Sequence, residues 1–222
     1  MTDTAALPPG QRAAEWRPFG LPRFAGRRTA PPDRPVLSVS GDVRRPTQLE
    51  LASLAYPLKT QRSDLHCVTT WTARDIAWGG YLFRDVHEQL TALVEPRRPR
   101  WLVLRGMDGF RSCLRLDDAL ADDVLLVVRL DGASLPVERG GPVRLVAPAH
   151  YGYKSVKHLY AIEYHRDYRP GSAGWTEHPR GRVAHEERSR YLPGWIWRPL
   201  WRATVPRVTA IWERAGAARA RR

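Results

Sequence analysis

A cysteine at the end of an apolar stretch is the first candidate for chemistry in this chain of 222 residues. Cys67 lies in the segment Asp64–Trp71 (DLHCVTTW), where a strand predicted over 64–70 would deliver it into a Thr/Trp loop. The thiol could be a core side chain, since free cysteine is among the most buried residue types, or a thiolate ligand to a soft or redox-active metal. Spacing alone favours the core thiol, because one Cys beside one His matches no zinc pattern.

An arginine inside an apolar strand is the second candidate. Arg144 follows Gly-Gly-Pro and stands in the middle of the strand predicted over Val143–Val146. A buried guanidinium is costly unless it meets an anion or an acid. A structural salt bridge and a contact to a bound anion both remain open at this position.

The third candidate is a short segment that holds two of the chain's three lysines. Lys154 and Lys157 flank Ser155 and follow Gly152 in the segment Tyr151–Leu159 (YGYKSVKHL). Backbone N–H groups of a turn, a hydroxyl group and two ammonium groups together can hold a phosphate. The alternative is a solvated, charged turn, and the scarcity of lysine elsewhere favours the phosphate site.

Taken together and in this order, the three features resemble the molybdopterin-binding domain of the sulfite oxidase family. The resemblance is strongest to its compact bacterial members and to the catalytic subunit of protein-methionine-sulfoxide reductase. Its most specific pieces are DLHCVT, which contains Cys67, and GYKSVK, which ends at Lys157. The resemblance implies an α+β fold, a sulfite-oxidase-like molybdopterin-binding fold with mixed β-sheets and a few short helices. It also implies a molybdenum-molybdopterin cofactor and an oxidoreductase that transfers an oxygen atom.

The resemblance implies roles for individual residues. Cys67 stands at the position of the single protein ligand to molybdenum. The resemblance assigns cofactor binding to Cys67 together with Arg139, Arg144, Ser155, Val156 and Lys157. Lys154 stands where the family places a cation that faces an anionic substrate, and with Arg111 it would make the mouth of the site positive. Phe110 stands where a tyrosine is common, so a proton donor would have to come from another group.

The pterin ends in a phosphate dianion, which Arg144, Lys157 and the Ser155 hydroxyl could neutralise by charge-assisted hydrogen bonds. We therefore expect a small oxyanion or a sulfoxide-like molecule as substrate, together with an electron-transfer partner that the sequence does not identify. Two alternatives stay open. The chain could be a non-catalytic module of the same fold that binds the cofactor, or a basic surface-binding protein that acts through its C-terminal extension.

The body that must position these residues is predicted over 36–166. Strands are predicted over Val36–Ser40, Trp101–Leu104, Val124–Leu130 and His158–Tyr164, helices over Phe83–Val94 and Leu116–Leu120, and a loop at Trp78–Gly80. The segment 49–55 is compatible with either a strand or a helix. Many short strands with few helices indicate an α+β domain.

The two ends of the chain differ from this body. Residues 1–35 contain seven prolines and read as an extended arm, with Trp16, Phe19 and Phe24 as docking points. In the extension 167–222, the residues Trp197, Trp201, Val205, Val208 and Trp212 recur at helical spacing. Pro199 and Pro206 should break or kink a helix there. The stretch 191–214 could form a strap on the domain, contact an anionic membrane surface or bind nucleic acid.

The net charge of +13 belongs mainly to the ends. Residues 180–222 hold eleven Arg and three Glu, a balance of +8, whereas 36–179 hold 19 basic and 17 acidic residues. A basic groove through the body is therefore not indicated, and nucleic acid is not expected as a partner. The first thirty residues contain no apolar segment followed by a cleavage site, so we expect a cytoplasmic protein, with reduced thiols and with surface attachment to a membrane as an option.

Overall fold

The computed structural model describes residues 6–27 and 29–220, with the backbone alone at Trp175, Arg219 and Ala220. The strands are β1 (Arg12–Ala13), β2 (Val36–Gly41), β3 (Thr47–Glu50), β4 (Lys59–His66), β5 (Trp71–Leu82), β6 (Trp101–Gly106), β7 (Arg111–Arg115), β8 (Leu125–Leu130), β9 (Ala133–Ser134), β10 (Arg144–Val146) and β11 (Leu159–His165). The α-helices are α1 (Phe83–Val94), α2 (Leu116–Ala119) and α3 (Gly194–Ala220). Short 3₁₀ turns lie at Pro22–Phe24, Leu51–Ser53, Val137–Arg139 and Gly174–Thr176.

The strands form two mixed sheets. One has six strands in the order β1-β5-β8-β10, with β4 paired to β5 and β9 paired to β8; the other has five in the order β3-β2-β11-β6-β7. Most neighbours are antiparallel, but β1 runs parallel to β5 and β2 runs parallel to β11. The main core lies between the five-stranded sheet, α1 and one face of β8 and β10. This arrangement is the mixed-sheet α+β architecture that the sequence predicts.

Helix α1 has the bounds that its apolar spacing predicts. Phe83, Val86, Leu90 and Val94 recur every three or four residues and are all fully buried. The helix ends at Glu95, which adopts a left-handed conformation with φ of 48°. The segment 49–55, which the sequence left open between strand and helix, contains the end of β3 followed by a 3₁₀ turn.

The predicted loop at Trp78–Gly80 is wrong, because all three residues lie inside the twelve-residue strand β5. Trp78 is fully buried and pairs with Gln61 on one side and Leu130 on the other. A Cβ atom on Gly80 would lie 2.4 Å from the carbonyl oxygen of Leu126. The glycine therefore permits a close approach between β5 and β8, and it does not mark a turn here.

Helix α3 runs without a break from Gly194 to Ala220, whereas a break or a kink was predicted at Pro199 and Pro206. Pro199 and Pro206 are both inside the helix and exposed, so their rings point away from the body. A proline inside a helix costs about 3 kcal/mol, and packing of the opposite, aromatic face offsets that cost. The end of the basic C-terminus, residues 221 and 222, lies outside the described residues, and no described helix is long and apolar enough to cross a membrane.

Both ends of the chain pack against the six-stranded sheet. The arm adds β1 beside β5, with Arg12 opposite Trp71. Trp16, Phe19 and Val205 pack against the cluster on the outer face of β5 and β8. Trp212 is buried against Phe24 and Ala25 of the arm. The two terminal segments therefore form one layer that covers a single side of the body.

Candidate functional site

A cavity of about 380 Å³ lies between this terminal layer and the body. Its floor comes from the end of β4 and the following loop, from Arg144 at the start of β10, and from the segment 152–157. Its cover comes from the arm and from α3. The residues of the cover that line the cavity are 16–22, Phe24, Trp201, Thr204, Val208 and Trp212. The three sequence candidates, Cys67, Arg144 and the segment that ends at Lys157, therefore meet at one cavity.

Cys67 lies in a tight turn immediately after β4. Its N–H donates to the carbonyl oxygen of Trp71 at 2.7 Å, and the N–H of Thr70 donates to the carbonyl oxygen of Cys67 at 3.1 Å. The predicted strand therefore ends at His66, because Thr70 adopts a left-handed conformation with φ of 75° and reverses the chain. Gln11 of the arm donates to the Cys67 carbonyl oxygen at 3.2 Å, which ties the turn to the cover.

The side chain of Cys67 lines the cavity and is half-buried. Burial raises the pKa of its thiol, against the opposing influence of a hydrogen bond with Thr69, whose Oγ1 lies 3.1 Å from the sulfur atom. The thiol therefore carries its proton at neutral pH. A metal cation that binds the sulfur atom would displace that proton and remove the cost of the buried thiolate charge.

Arg144 is a buried cation without an acidic partner among the described residues. Its Nη1 donates to the carbonyl oxygen of Arg139 at 2.8 Å and its Nη2 to that of Ser155 at 3.2 Å, while Nε has no hydrogen-bond partner. The guanidinium lies 5.8 Å from the ring centre of Trp16 and 5.3 Å from that of Trp78. Burial lowers its pKa to about 9, and Arg139 adds to that effect.

This arrangement is what an anion site requires. A buried, uncompensated charge with an orphaned donor is rare in native proteins, and a bound anion would satisfy both the charge and the donor. The salt bridge that the sequence left open for Arg144 is not present among the described residues. The contact to a bound anion stays a prediction.

Besides Arg17 of the cover, two further cations line the cavity from the body side, Arg139 and Lys157. The Nη1 of Arg139 donates to the Trp16 carbonyl oxygen at 2.9 Å, and its guanidinium stacks on the Trp16 ring at 4.2 Å. The Nζ of Lys157 lies 5.0 Å from the ring centre of Trp212. Gly140, with φ of 104°, brings the chain against the Lys157 side chain, where a Cβ would lie 2.8 Å from Cγ of that lysine. Both cations are thus held by aromatic rings of the cover.

Ser155 and Val156 complete this side of the cavity. The Ser155 Oγ accepts a hydrogen bond from the N–H of Ala147 at 3.2 Å, so its own O–H is left to donate. The Val156 carbonyl oxygen accepts from the N–H of Leu145 at 3.0 Å, which fixes the segment against β10. Among the predicted cofactor residues, Cys67, Arg139, Arg144, Ser155, Val156 and Lys157 therefore line the cavity.

Lys154 and Arg111 are not among the residues that line this cavity, and their predicted role at its mouth stays a prediction. Lys154 is fully buried on the other side of its segment, where Nζ donates to the carbonyl oxygens of Cys113 at 2.5 Å and Pro179 at 2.6 Å. Burial lowers the pKa of Lys154 to about 8. Arg111 is exposed on β7. The segment forms a turn here, in which the N–H of Lys154 donates to the carbonyl oxygen of Tyr151 at 2.8 Å, and the Lys154 side chain leaves this turn toward Cys113 and Pro179.

Sequence reasoning missed Arg188, which lies in the C-terminal extension and is fully buried. Its guanidinium donates to the carbonyl oxygens of Val68 at 2.5 Å and Pro9 at 3.3 Å, and it pairs with Glu186 at 3.5 Å. It therefore ties the Cys67 turn to both ends of the chain. No pattern distinguishes this arginine from the ten others in residues 180–222, because its contacts with Val68 and Pro9 are distant in sequence.

The cover itself is aromatic. The Trp16 ring meets that of Trp78 edge-on at 5.2 Å, and the Phe19 ring meets that of Trp71 at 5.6 Å. Phe110, on the body side, lines the cavity. The spacing of the aromatic residues in the arm indicated docking, but it did not reveal that the docked arm closes the site.

The family model for the oxidoreductase molybdopterin binding domain matches residues 27–173. The chain is 34% identical over 136 residues to the uncharacterized oxidoreductase YuiH of Bacillus subtilis, covering 61% of this chain and 67% of that protein. It is 30% identical over 142 residues to the protein-methionine-sulfoxide reductase catalytic subunit MsrP of Xanthomonas campestris, covering 58% of this chain and 44% of that protein.

The MsrP of Campylobacter jejuni is 26% identical over 172 residues, covering 67% of this chain and 58% of that protein, so the chain spans about half the length of these subunits. Among solved structures, the sulfane dehydrogenase SoxCD from Paracoccus pantotrophus matches with a TM-score of 0.54 and 19% identity, covering 72% of this chain and 45% of that chain. This structure shares the fold, which confirms the predicted fold class. The cavity lies largely within the matched region, but most of its cover lies outside residues 27–173.

Proposed function

The chain belongs to the oxidoreductase molybdopterin binding domain family, and from that premise we propose that it transfers an oxygen atom at a molybdenum ion held by Cys67. The family's cofactor is molybdenum-molybdopterin. The observation that carries the proposal is the meeting of Cys67 and Arg144 at one cavity, where Arg144 is a buried cation with no acidic partner in the described part of the chain. Cys67 supplies a thiolate ligand for the metal, and Arg144 requires an anion to balance its charge.

The residues of the cavity fit the two ends of this cofactor. The sulfur atom of Cys67 would hold the metal, and the turn that carries it is fixed by four neighbouring contacts. Arg144, Lys157 and the hydroxyl group of Ser155 would hold the phosphate by charge-assisted hydrogen bonds. The orphaned Nε of Arg144 is the donor that such a phosphate would satisfy. Arg139 adds a further positive charge beside the same group.

When bound, the cofactor supplies a metal centre that exchanges two electrons and an oxygen atom with the substrate. The protein supplies binding, orientation and exclusion of water. The aromatic cover, which includes Trp16, Phe19 and Trp212, lines one side of the cavity and shields it in part from solvent. Charges interact more strongly in such a partly shielded site than they would in bulk water.

We propose a small sulfoxide, reduced to a thioether, as the substrate class. The support is the apolar cover and the position of Lys154, which is turned away from the cavity, together with the exposed position of Arg111. With Arg139, Arg144 and Lys157 assigned to the cofactor phosphate, the apolar cover would suit a sulfoxide, which combines one polar S–O bond with apolar substituents, better than a small oxyanion. The relatives named as protein-methionine-sulfoxide reductase subunits support the same class. The reduction consumes two electrons and two protons and releases water, so a separate electron-transfer partner must supply the electrons.

The test compares the two cysteine variants, Cys67→Ser and Cys113→Ser, after expression with cofactor synthesis. We expect Cys67→Ser to lose sulfoxide reduction with a viologen donor and to lose or perturb its bound metal. Cys113 is buried on β7 and does not line the cavity, so Cys113→Ser should retain both. Full activity of Cys67→Ser, or sulfite oxidation without sulfoxide reduction in the wild type, would contradict the proposal.

A further inference from the structure

Helix α3 has apolar side chains on two opposite faces. One face carries Trp197, Trp201, Val205, Val208 and Trp212, and it packs against the body and lines the cavity. The other face begins in the turn before the helix and is exposed. The outer face, as we call it, consists of Tyr191, Leu192, Trp195, Ile196 and Leu200, and the exposed fractions of Trp195 and Leu200 are 63% and 60%. Residues 192, 195, 196 and 200 share one side of a helix by their spacing.

The outer face is a concentrated patch, and it does not reflect a generally apolar surface. Nine large apolar side chains are exposed among the described residues, and five of them lie within the ten residues from Tyr191 to Leu200. Scattered apolar side chains are normal on a protein surface, but a contiguous group indicates an interaction site. The patch cannot close on the body, because the opposite side of the same helix already does so.

The charge around the outer face is positive. Arg207 and Arg214 are exposed and continue the same side of α3 toward its C-terminus. Glu213 is the one acidic residue in the sequence of this helix. In the segment before the helix, Glu186 pairs with Arg198 and Glu187 pairs with Arg182, so neither carboxylate offsets this charge.

We propose that the outer face of α3 docks on the surface of an anionic lipid bilayer, with the helix lying in the plane of the interface. Tryptophan, tyrosine, leucine and isoleucine beside arginine are the composition that suits this boundary. Nucleic acid offers phosphates but no apolar layer for Leu192, Ile196 and Leu200. Docking would hold the cavity within about one helix diameter, roughly 10 Å, of the membrane surface. The inference does not depend on the proposed chemistry.

The test measures co-sedimentation of the full chain with vesicles of phosphatidylcholine, with and without phosphatidylglycerol. We expect the wild type to bind the anionic vesicles and to bind the neutral ones less well. The double variant Trp195→Ser/Leu200→Ser should lower the partition coefficient on the order of a hundredfold, because it removes two large apolar side chains. The matched control is Leu58→Ser/Leu93→Ser, which changes two exposed leucines elsewhere and should bind as the wild type does.

The charge-reversal variant Arg207→Glu/Arg214→Glu leaves the apolar side chains in place. We expect this variant to bind anionic and neutral vesicles equally. It provides a second test in case the double serine variant fails to fold. Three results would overturn the proposal: no binding of the wild type to anionic vesicles, unchanged binding of the double variant, or a wild-type dimer that the double variant converts to a monomer. The last result would identify a second copy of the chain as the occupant.

Discussion

Replacement of Arg144 by methionine should barely destabilise the apoprotein and yet prevent cofactor loading. Arg144 is 3% exposed and has no acidic partner among the described residues. Burial lowers its pKa to about 9. Lowering the pKa from its ordinary value of 12.5 to about 9 means that burial disfavours the charged guanidinium by about 5 kcal/mol. Methionine fills a similar volume and removes this cost.

The substitution also removes favourable contacts. The carbonyl oxygens of Arg139 and Ser155 would each lose a hydrogen bond, at about 1–3 kcal/mol apiece. The two effects nearly cancel, so the free energy of unfolding of apo Arg144→Met should lie within about 2 kcal/mol of the wild type. Arg188 is the matched control, since it is also fully buried but pairs with Glu186. Arg188→Met should cost about 3–5 kcal/mol, because the carbonyl oxygens of Val68 and Pro9 would lose hydrogen bonds from a charged donor.

The assay is urea unfolding of each variant from a host that lacks cofactor synthesis, followed by metal content after expression in a competent host. We expect Arg144→Met to unfold near the wild-type midpoint and to carry less than about a tenth of the wild-type molybdenum, a loss equivalent to ~1.4 kcal/mol or more. The reasoning is refuted if apo Arg144→Met is destabilised as much as Arg188→Met. It is equally refuted if Arg144→Met loads the cofactor fully.

Three further predictions concern the scaffold. Gly80→Ala should cost about 3 kcal/mol in urea unfolding, because its Cβ would lie 2.4 Å from a carbonyl oxygen of β8, whereas Gly26→Ala, with no atom within 4 Å, should change little. The pKa of Lys154 is lowered to about 8 in the folded protein, whereas a lysine in the unfolded chain has a pKa near 10.4. Between about pH 8 and pH 10, unfolding therefore takes up a proton. The free energy of unfolding should rise with pH over this range. Lys154→Met should abolish that rise, and an identical pH profile in the variant would contradict the burial argument. Trp212→Ala should cost about 3 kcal/mol and expose α3 to proteolysis, whereas the exposed Trp195→Ala should change stability by less than about 0.5 kcal/mol.

Local patterns predict the elements whose neighbours follow from the sequence itself. Helix α1 has the bounds that the spacing of Phe83, Val86, Leu90 and Val94 indicates, because one apolar face against a sheet is enough to define it. The wrong prediction of a loop at Trp78–Gly80, inside strand β5, shows where local patterns fail. Gly80 has the composition of a turn, but it serves a close approach to β8, a strand more than forty residues later.

In the candidate site, too, local patterns predict some features and miss others. The residues at Cys67, Arg144 and 155–157 could be identified from their segments and the family resemblance. The direction of the Lys154 side chain could not, because it is set by the carbonyl oxygens of Cys113 and Pro179, which are distant in sequence. The cover was missed because two proline-containing terminal segments must dock together before their aromatic side chains close the cavity.

The central claim is that the chain holds molybdenum through a thiolate in this cavity. The most direct test is the molybdenum-to-protein ratio by elemental mass spectrometry, on protein expressed with ample molybdate in a host shown to make the cofactor. The account predicts a ratio near one for the wild type and near zero for Cys67→Ser. A well-folded wild type without molybdenum, or a Cys67→Ser variant with a ratio near one, would contradict it.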